Sequence, residues 1–318
     1  IPREAVTALF RHLKESGRYD FVMDVTCVDY PTREKRFDVV YHLFSSKTFS
    51  RLRVKTQVGE GETVKSITGI YRAANWFERE AWDMFGVVFE GHPNLTRLLT
   101  HHEFVGHPLR KDYDADHQQH CSVAMPLHFA PDAKLVGEGR QLVPLNIGPS
   151  HPATHGTLRV MAEIDGETIA RAGVEIGYLH RCFEKMAETH PYNQVIPYTD
   201  RLNYCSAPLN NVAYCKTVER MLGVEIPPKA QAMRVILSEL SRVIDHIVCI
   251  GANAVDLGAL TGFFHLFTYR EMVYTLFEKL CGARLTVSLT RIGGMANDAP
   301  EGWFDDVLDT VKKIRAGV

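Results

Sequence analysis

Hydrophobic periodicity changes along this chain from a period of two to a period near 3.6, and a polar tract without either period interrupts it. FDVVYHLF puts Phe37, Val39, Tyr41 and Leu43 on one face, as a half-buried strand requires. RLRVKTQV alternates more cleanly and turns Arg51, Arg53 and Lys55 outward; FVMDVTCVDY is strand-like too. GEGET is a turn. From Thr63 the spacing of Val64, Ile67, Ile70, Tyr71 and Ala74 predicts a helix, which WFEREAWDMFG continues or restarts and Gly86 stops. These elements make a mixed α/β domain over residues 1–113. Residues 114–141 are polar and Pro/Gly-bearing and read as a linker. The second domain, 142–318, opens with strands: Leu158, Val160, Ala162 and Ile164 alternate, and Asp165-Gly166 signals a hairpin. From Tyr178 the pattern is helical. Pro227-Pro228 starts one helix, whose stripe runs through Met233, Ile236, Leu237, Leu240, Val243, Ile244, Ile247 and Val248. Another covers Phe263 to Leu280 and ends at Gly282. The fold class is therefore α+β: a mixed α/β domain, a β-hairpin region, and a mainly helical domain.

Composition narrows the function classes. With 318 residues, 45% of them hydrophobic, each of two domains can bury a core. A formal net charge of −2 offers no attraction for nucleic acid or an anionic membrane surface. The seven cysteines form no CxxC pair. Their odd number and wide spacing argue against a disulfide framework and against a metal cluster held by this chain alone, and fit a reducing, cytoplasmic compartment. IPREAVTALF carries no basic-then-apolar signal, and KKIRAGV stops inside a helical pattern, so both ends read as cut. The apolar run Ile247 to Phe267 is long enough to span a bilayer. Asp256, Asn253, Gly251, Gly258 and Gly262 interrupt it, so it reads as a buried helix pair rather than a transmembrane helix.

The segment NIGPSHPATHGTLR sets His151 and His155 four residues apart, framed by Gly148, Pro149, Pro152 and Gly156. Three readings compete. A zinc site wants about four ligands, but the prolines oppose a helix through both histidines, and HQQHC at His117–Cys121 lies in the polar tract, where it reads as solvated. The histidines could instead tie the loop together by hydrogen bonds. Or the loop presents an imidazole to a ligand, as loops on a rigid scaffold often do.

GPSHPATHGTLR, EIGYLHRCFEK, YTDRLNY, PPKAQAMRVILSELSRVIDH, DLGALTGFF and TRIGG, in that order, resemble the 49-kDa (D) subunit of respiratory complex I. FEREAWDMFGVVFEGHPNLTRLL followed by GHPLRKDY resembles the 30-kDa (C) subunit. Both in one chain resemble the fused C/D subunit of a bacterial NADH:quinone oxidoreductase, with the C-terminal part of the D family missing. The resemblance implies a quinone-headgroup pocket formed against a B-like partner that carries the terminal [4Fe-4S] cluster; this chain would hold no metal and no redox centre of its own. It implies that His155 donates to one quinone carbonyl, that Tyr204 donates to the other, and that Asp256 partners the histidine. Arg201 and Arg181 would lie near the partner's cluster. It further implies neighbours of the I-like ferredoxin, H-like and A-like membrane, and G-like types. The position would be peripheral, on the cytoplasmic side of the bacterial inner membrane, with no transmembrane segment. The D family is related to the [NiFe] hydrogenase large subunit. That enzyme's first CxxC pair falls where this chain reads RLNYCSA, with Cys205 alone, which rejects a nickel–iron centre.

The chemistry suits those roles. Reducing a quinone takes two electrons and two protons, and imidazole and phenol can both supply protons at carbonyl oxygens. A carboxylate beside the imidazole favours its cationic form. The coupled expectation is that Asp256 loses its charge partner when His155 gives up its proton, and that this starts proton translocation. Blander readings stand beside each: Asp256 capping the turn between two helices, Tyr204 as a core tyrosine, His151 as a brace for its loop, Arg201 paired with a local acid, and Glu78, Arg79, Glu80 and Asp83 as a salt-bridged, partner-facing helix surface. One departure is Thr286, where the family commonly has a histidine near the cluster. Threonine does not titrate near neutrality, so the family's pH-dependent cluster potential does not carry over, and a lower-potential, menaquinone-type substrate stands beside ubiquinone. The alternative for the whole chain is a non-catalytic scaffold of a related membrane-bound, hydrogenase-type complex.

Overall fold

The computed structural model describes residues 1–122 and 142–317, so most of the tract read as a linker, residues 123–141, lies outside the described residues. The chain forms two compact units, Ile1–Lys185 and Met186–Val318.

In the first unit α1 (Val6–Glu15) precedes β1 (Phe21–Asp29), β2 (Phe37–Phe44) and β3 (Arg51–Val58), an antiparallel sheet in that order. β3 alternates as its sequence requires, with Arg51, Arg53 and Lys55 exposed and Val54, Thr56 and Val58 buried. β2 is the middle strand, and Phe37, Val39, Tyr41 and Leu43 face the core. Val6 and Phe10 of α1 cover that face, and Phe10 meets Tyr41 with ring centroids 4.8 Å apart, a spacing typical of favourable aromatic pairs.

The helix expected from Thr63 is not there. Thr63–Lys65 is a strand, β4, paired in parallel with β5 (Val88–Glu90), and the helix α2 runs from Ala74 to Phe85. Val64, Ile67, Tyr71 and Ala74 are buried as the stripe required. Between strand and helix, however, the chain passes through turns whose bonds run from the Ile70 and Tyr71 amides to the Ile67 carbonyl and from the Ala74 amide to Tyr71. Turns preserve a three- to four-residue spacing without a helix, so periodicity alone misassigned the segment. Gly86 ends α2 in the left-handed conformation, φ 79°, as a helix-stopping glycine should.

A second sheet in this unit pairs β6 (Val143–Ile147), β7 (Arg159–Asp165) and β8 (Thr168–Glu175) antiparallel. Asp165 faces Thr168 across a two-residue turn at Gly166-Glu167, which matches the Asp-Gly signal. Only Ala162 of β7 is buried, so the alternation there does not mark a core face. Gly177 (φ 105°) follows β8 where an added Cβ would stand 2.4 Å from the Leu99 carbonyl oxygen; only glycine fits so close a backbone.

A short helix, α3 (Phe183–Ala187), leads into the second unit. There α4 (Tyr192–Thr199), α5 (Ala207–Leu222), α6 (Pro228–Asp256) and α7 (Leu260–Cys281) are followed by a small hairpin, β9 (Thr290–Arg291) and β10 (Gly294–Met295), and by α8 (Trp303–Gly317). Met233, Leu237, Leu240 and Ile244 of α6 pack with Val273, Leu276, Phe277 and Leu280 of α7, and Trp303 of α8 closes the cluster. The buried Trp303 indole donates to the Leu276 carbonyl at 2.9 Å. The expected helix pair is thus present, but its far corner is not buried: Ile250, Leu257, Leu260 and Phe264 are exposed. Among the described residues no helix is long and apolar enough to cross a membrane.

Candidate functional site

The histidine loop is built from β6 and β7 of the first unit. Gly148 (φ 93°) turns the chain out of β6 so tightly that a Cβ there would lie 2.0 Å from the Leu158 carbonyl oxygen, and its peptide bond to Pro149 is cis. Asn146 spans the loop's base, donating to the Gly148 carbonyl at 3.1 Å and accepting from Arg159 at 2.8 Å. His151 caps the next turn, Pro152–Thr154: its Nδ1 accepts from the Ala153 amide at 3.1 Å. The Thr154 hydroxyl ties the turn further, to the carbonyls of His151 (2.7 Å) and Gly156 (2.6 Å). His151 therefore does brace its loop. His155 follows at φ 50°, a left-handed backbone that a non-glycine residue adopts only when its surroundings impose it. The imidazole is exposed. The loop holds an outward-facing side chain on a backbone with little freedom.

Arg181 is exposed in the segment between β8 and α3, also in the first unit. Arg201, Tyr204 and Asp256 belong to the second unit. Arg201 ends the turn after α4. Its guanidinium donates to the Pro197 carbonyl at 2.7 Å and lies 3.7 Å from the Asp200 carboxylate, so it is paired with a local acid. Asp200 is fully buried and accepts from the Ser288 amide and hydroxyl. Nothing local in YTDRLNY marks Asp200 as an interior anchor, because its partner Ser288 lies 88 residues away in sequence.

Tyr204 opens a single 3-10 turn, Tyr204–Ser206, just before α5. It is 48% exposed and so is not a core tyrosine. The Asn203 amide fixes this turn, donating to the Ser206 hydroxyl at 2.6 Å and to Asp245 of α6 at 3.3 Å. Asp256 is the last residue of α6 and is exposed. The N-cap position of α7 is Ala259, which makes no side-chain cap bond. Asp256 lies eleven positions beyond Asp245 along α6, roughly 16 Å of helix at about 1.5 Å per residue. A carboxylate at a helix C-terminus is disfavoured by the helix dipole, by about 0.3–1 kcal/mol. The start of α7 at Leu260, four residues on, presents the opposite end of a dipole. The phenol, the imidazole and the carboxylate are all exposed, the first two on turns tied by side-chain hydrogen bonds.

Two family models match the chain. Residues 1–119 match the respiratory-chain NADH dehydrogenase 30 Kd subunit, and residues 256–318 match the 49 Kd subunit. The C/D subunit of NADH-quinone oxidoreductase from Bdellovibrio bacteriovorus is 70% identical over 319 residues, covering 100% of this chain and 57% of that protein. The proteins of the same name from Acidiphilium cryptum and Methylococcus capsulatus are 40% and 39% identical, over 97% and 95% of this chain and 56% of each relative. The chain thus spans little more than half the length of these curated relatives. His155, Arg181, Arg201 and Tyr204 fall between the two matched segments, within the stretch aligned to the Bdellovibrio protein, and Asp256 is the first residue of the second segment.

Proposed function

We propose a function from the premise that this chain belongs to the family of fused 30-kDa and 49-kDa (C/D) subunits of NADH-quinone oxidoreductase. It is a peripheral-arm subunit that forms the quinone-headgroup site beside the terminal [4Fe-4S] cluster of a B-like partner. Residues 1–113 act as the 30-kDa-like domain, 114–141 as the linker, and 142–318 as the 49-kDa-like, hydrogenase-related domain. The cluster supplies electrons; this chain supplies hydrogen-bond donors and protons at the two carbonyl oxygens, His155 at one and Tyr204 at the other. Asp256 holds the proton on His155 through its charge, and its loss of that partner on quinone reduction couples the chemistry to proton translocation. Arg201 and Arg181 face the cluster. The other neighbours are I-like, H-like, A-like and G-like subunits, on the cytoplasmic side of the inner membrane.

The observation that carries this reading is the exposure of Tyr204 on a turn anchored by Asn203 to α6. A phenol that serves only packing is buried; one offered to solvent from a braced backbone suits a ligand. The test is Tyr204→Phe in the full-length subunit, in membranes. NADH oxidation by quinone is compared with NADH oxidation by an artificial acceptor that bypasses the pocket. Quinone reduction should fall by about 10²-fold or more while the bypass rate survives. If both rates hold, the chain is a scaffold and the site assignment is wrong.

A further inference from the structure

A second set of ligand-type side chains lies in the first unit, away from the histidine loop in sequence. His101, His102 and Glu103 offer ligand atoms that all lie within 4.8 Å of one another. His101 Nδ1 is 3.9 Å and His102 Nε2 3.8 Å from the Glu103 carboxylate, and the two rings stack with centroids 4.2 Å apart. The Glu103 amide donates to His101 Nδ1 at 3.2 Å, so in the neutral ring Nδ1 carries the lone pair, and a cation bound there would take the amide's place. The Nε2 atom of His101 is buried without a hydrogen-bond partner.

The segment Gln119–Ser122 is tied to this stretch by side-chain hydrogen bonds. The Gln119 side chain bonds both the amide and the carbonyl of Val105, each at 2.8 Å. Ser122 donates to Glu103 twice, from its amide at 2.6 Å and its hydroxyl at 2.9 Å. His120 and Cys121 lie between these two attachments in sequence, Cys121 next to the residue bonded to Glu103. Cys121 is an exposed free thiol.

We propose that His101, His102 and Glu103 form a zinc-type divalent cation site, completed by Cys121. Two imidazoles, a carboxylate and a thiolate are the donor set of a tetrahedral site. Ligand atoms about 2.0–2.1 Å from a zinc ion stand roughly 3.3 Å from one another. Side-chain rotations that draw the three groups together by about 0.5–1.5 Å therefore suffice. Such a site would pin the start of the tract between the two family segments to the 30-kDa-like domain.

The test uses the full chain, stripped of metal by a chelator and titrated with Zn²⁺ against a chromophoric competitor, and separately with Co²⁺. The expected result is one equivalent bound with submicromolar affinity, weakened about 10²-fold or more by His101→Ala/His102→Ala and not by His190→Ala, an exposed histidine elsewhere. Bound Co²⁺ should show tetrahedral d–d bands and a thiolate charge-transfer band that Cys121→Ser removes. Absence of stoichiometric binding, or binding that the double variant leaves unchanged, overturns the site. A d–d spectrum without the thiolate band overturns the role of Cys121. Circular dichroism of each variant, expected to match the parent, separates ligand loss from misfolding.

Discussion

At the scale of single residues, the acidic stretch of α2 shows what charge in a sequence can and cannot say. Glu78, Arg79, Glu80 and Asp83 read as a salt-bridged, partner-facing surface, yet Glu78 and Asp83 are fully buried. Asp83 accepts from the amides of Leu98, Leu99 and Thr100 at 2.8–3.0 Å, from the Thr100 hydroxyl, and from Arg97 at 2.8 Å. Glu78 takes the Ser66 hydroxyl and the Ile67 amide. The partners lie 11–17 residues away, so no local pattern announced them. Burial alone would raise the Asp83 carboxyl, but the Thr100 hydroxyl, Arg97 and the two backbone amides outweigh it and hold the group below the usual carboxylate range. Its stabilisation is present above the unfolded carboxylate range and is lost as pH falls through the lowered value. Asp83→Asn should cost about 3–5 kcal/mol at neutral pH, the cost of breaking a buried ion pair, read as a lower urea midpoint. Glu80 has the opposite sign. Burial first, then the Asp24, Glu184 and Asp83 carboxylates, push it up to about 7. The folded chain then holds a proton that the unfolded chain has released, so this residue costs stability increasingly from about pH 4 to pH 7. Glu80→Gln should raise Tm by a few degrees at pH 8 and leave it unchanged at pH 4; an equal gain at both values would rule out the ionisation argument.

At the scale of elements, what was legible was what length and punctuation could carry. α6 and α7 were read from a long stripe, from Pro227-Pro228 and from Gly282, and β3 from its alternating charges; all of these depend on near neighbours in sequence. The strand β4 was not legible, because three residues cannot set a period and its partner β5 comes more than twenty residues later. Nor was the anchor of TRIGG. Glu219 of α5 and Arg234 of α6 form a buried bidentate pair at 2.8 and 2.6 Å. Arg234 donates on to the carbonyls of Arg291 and Gly294, while the Gly293 amide donates to Glu219. This pair fastens the β9–β10 hairpin to two helices. Arg234 is the chief cause holding the Glu219 carboxyl below its usual range. Glu219→Ala leaves a buried guanidinium unpaired, and about 3–5 kcal/mol should be lost. Amide exchange at Gly293 should rise with it; if exchange there stays as slow as in the parent, the pair does not hold the hairpin.

At the scale of the whole molecule, the residues proposed for quinone chemistry are divided between the two compact units. His155 sits on the β6–β7 loop of the first, and Tyr204 and Asp256 belong to the helices of the second. The motif residues were legible from the family resemblance, and their exposure from the structure. A double-mutant cycle tests the proposed pairing of His155 with Asp256 directly. His155→Ala, Asp256→Asn and the double variant are compared in membranes by quinone-dependent NADH oxidation, normalised to the bypass activity. Residues in one network couple by about 0.5–3 kcal/mol, whereas distant sites add within about 0.3–0.5 kcal/mol. If Asp256 acts only by holding the proton on His155, the Asp256→Asn change should cost about tenfold in the parent and almost nothing once His155 is alanine. Additive losses would mean that the two residues serve turnover separately. The proposed link from headgroup reduction to proton translocation would then have to begin at another charge.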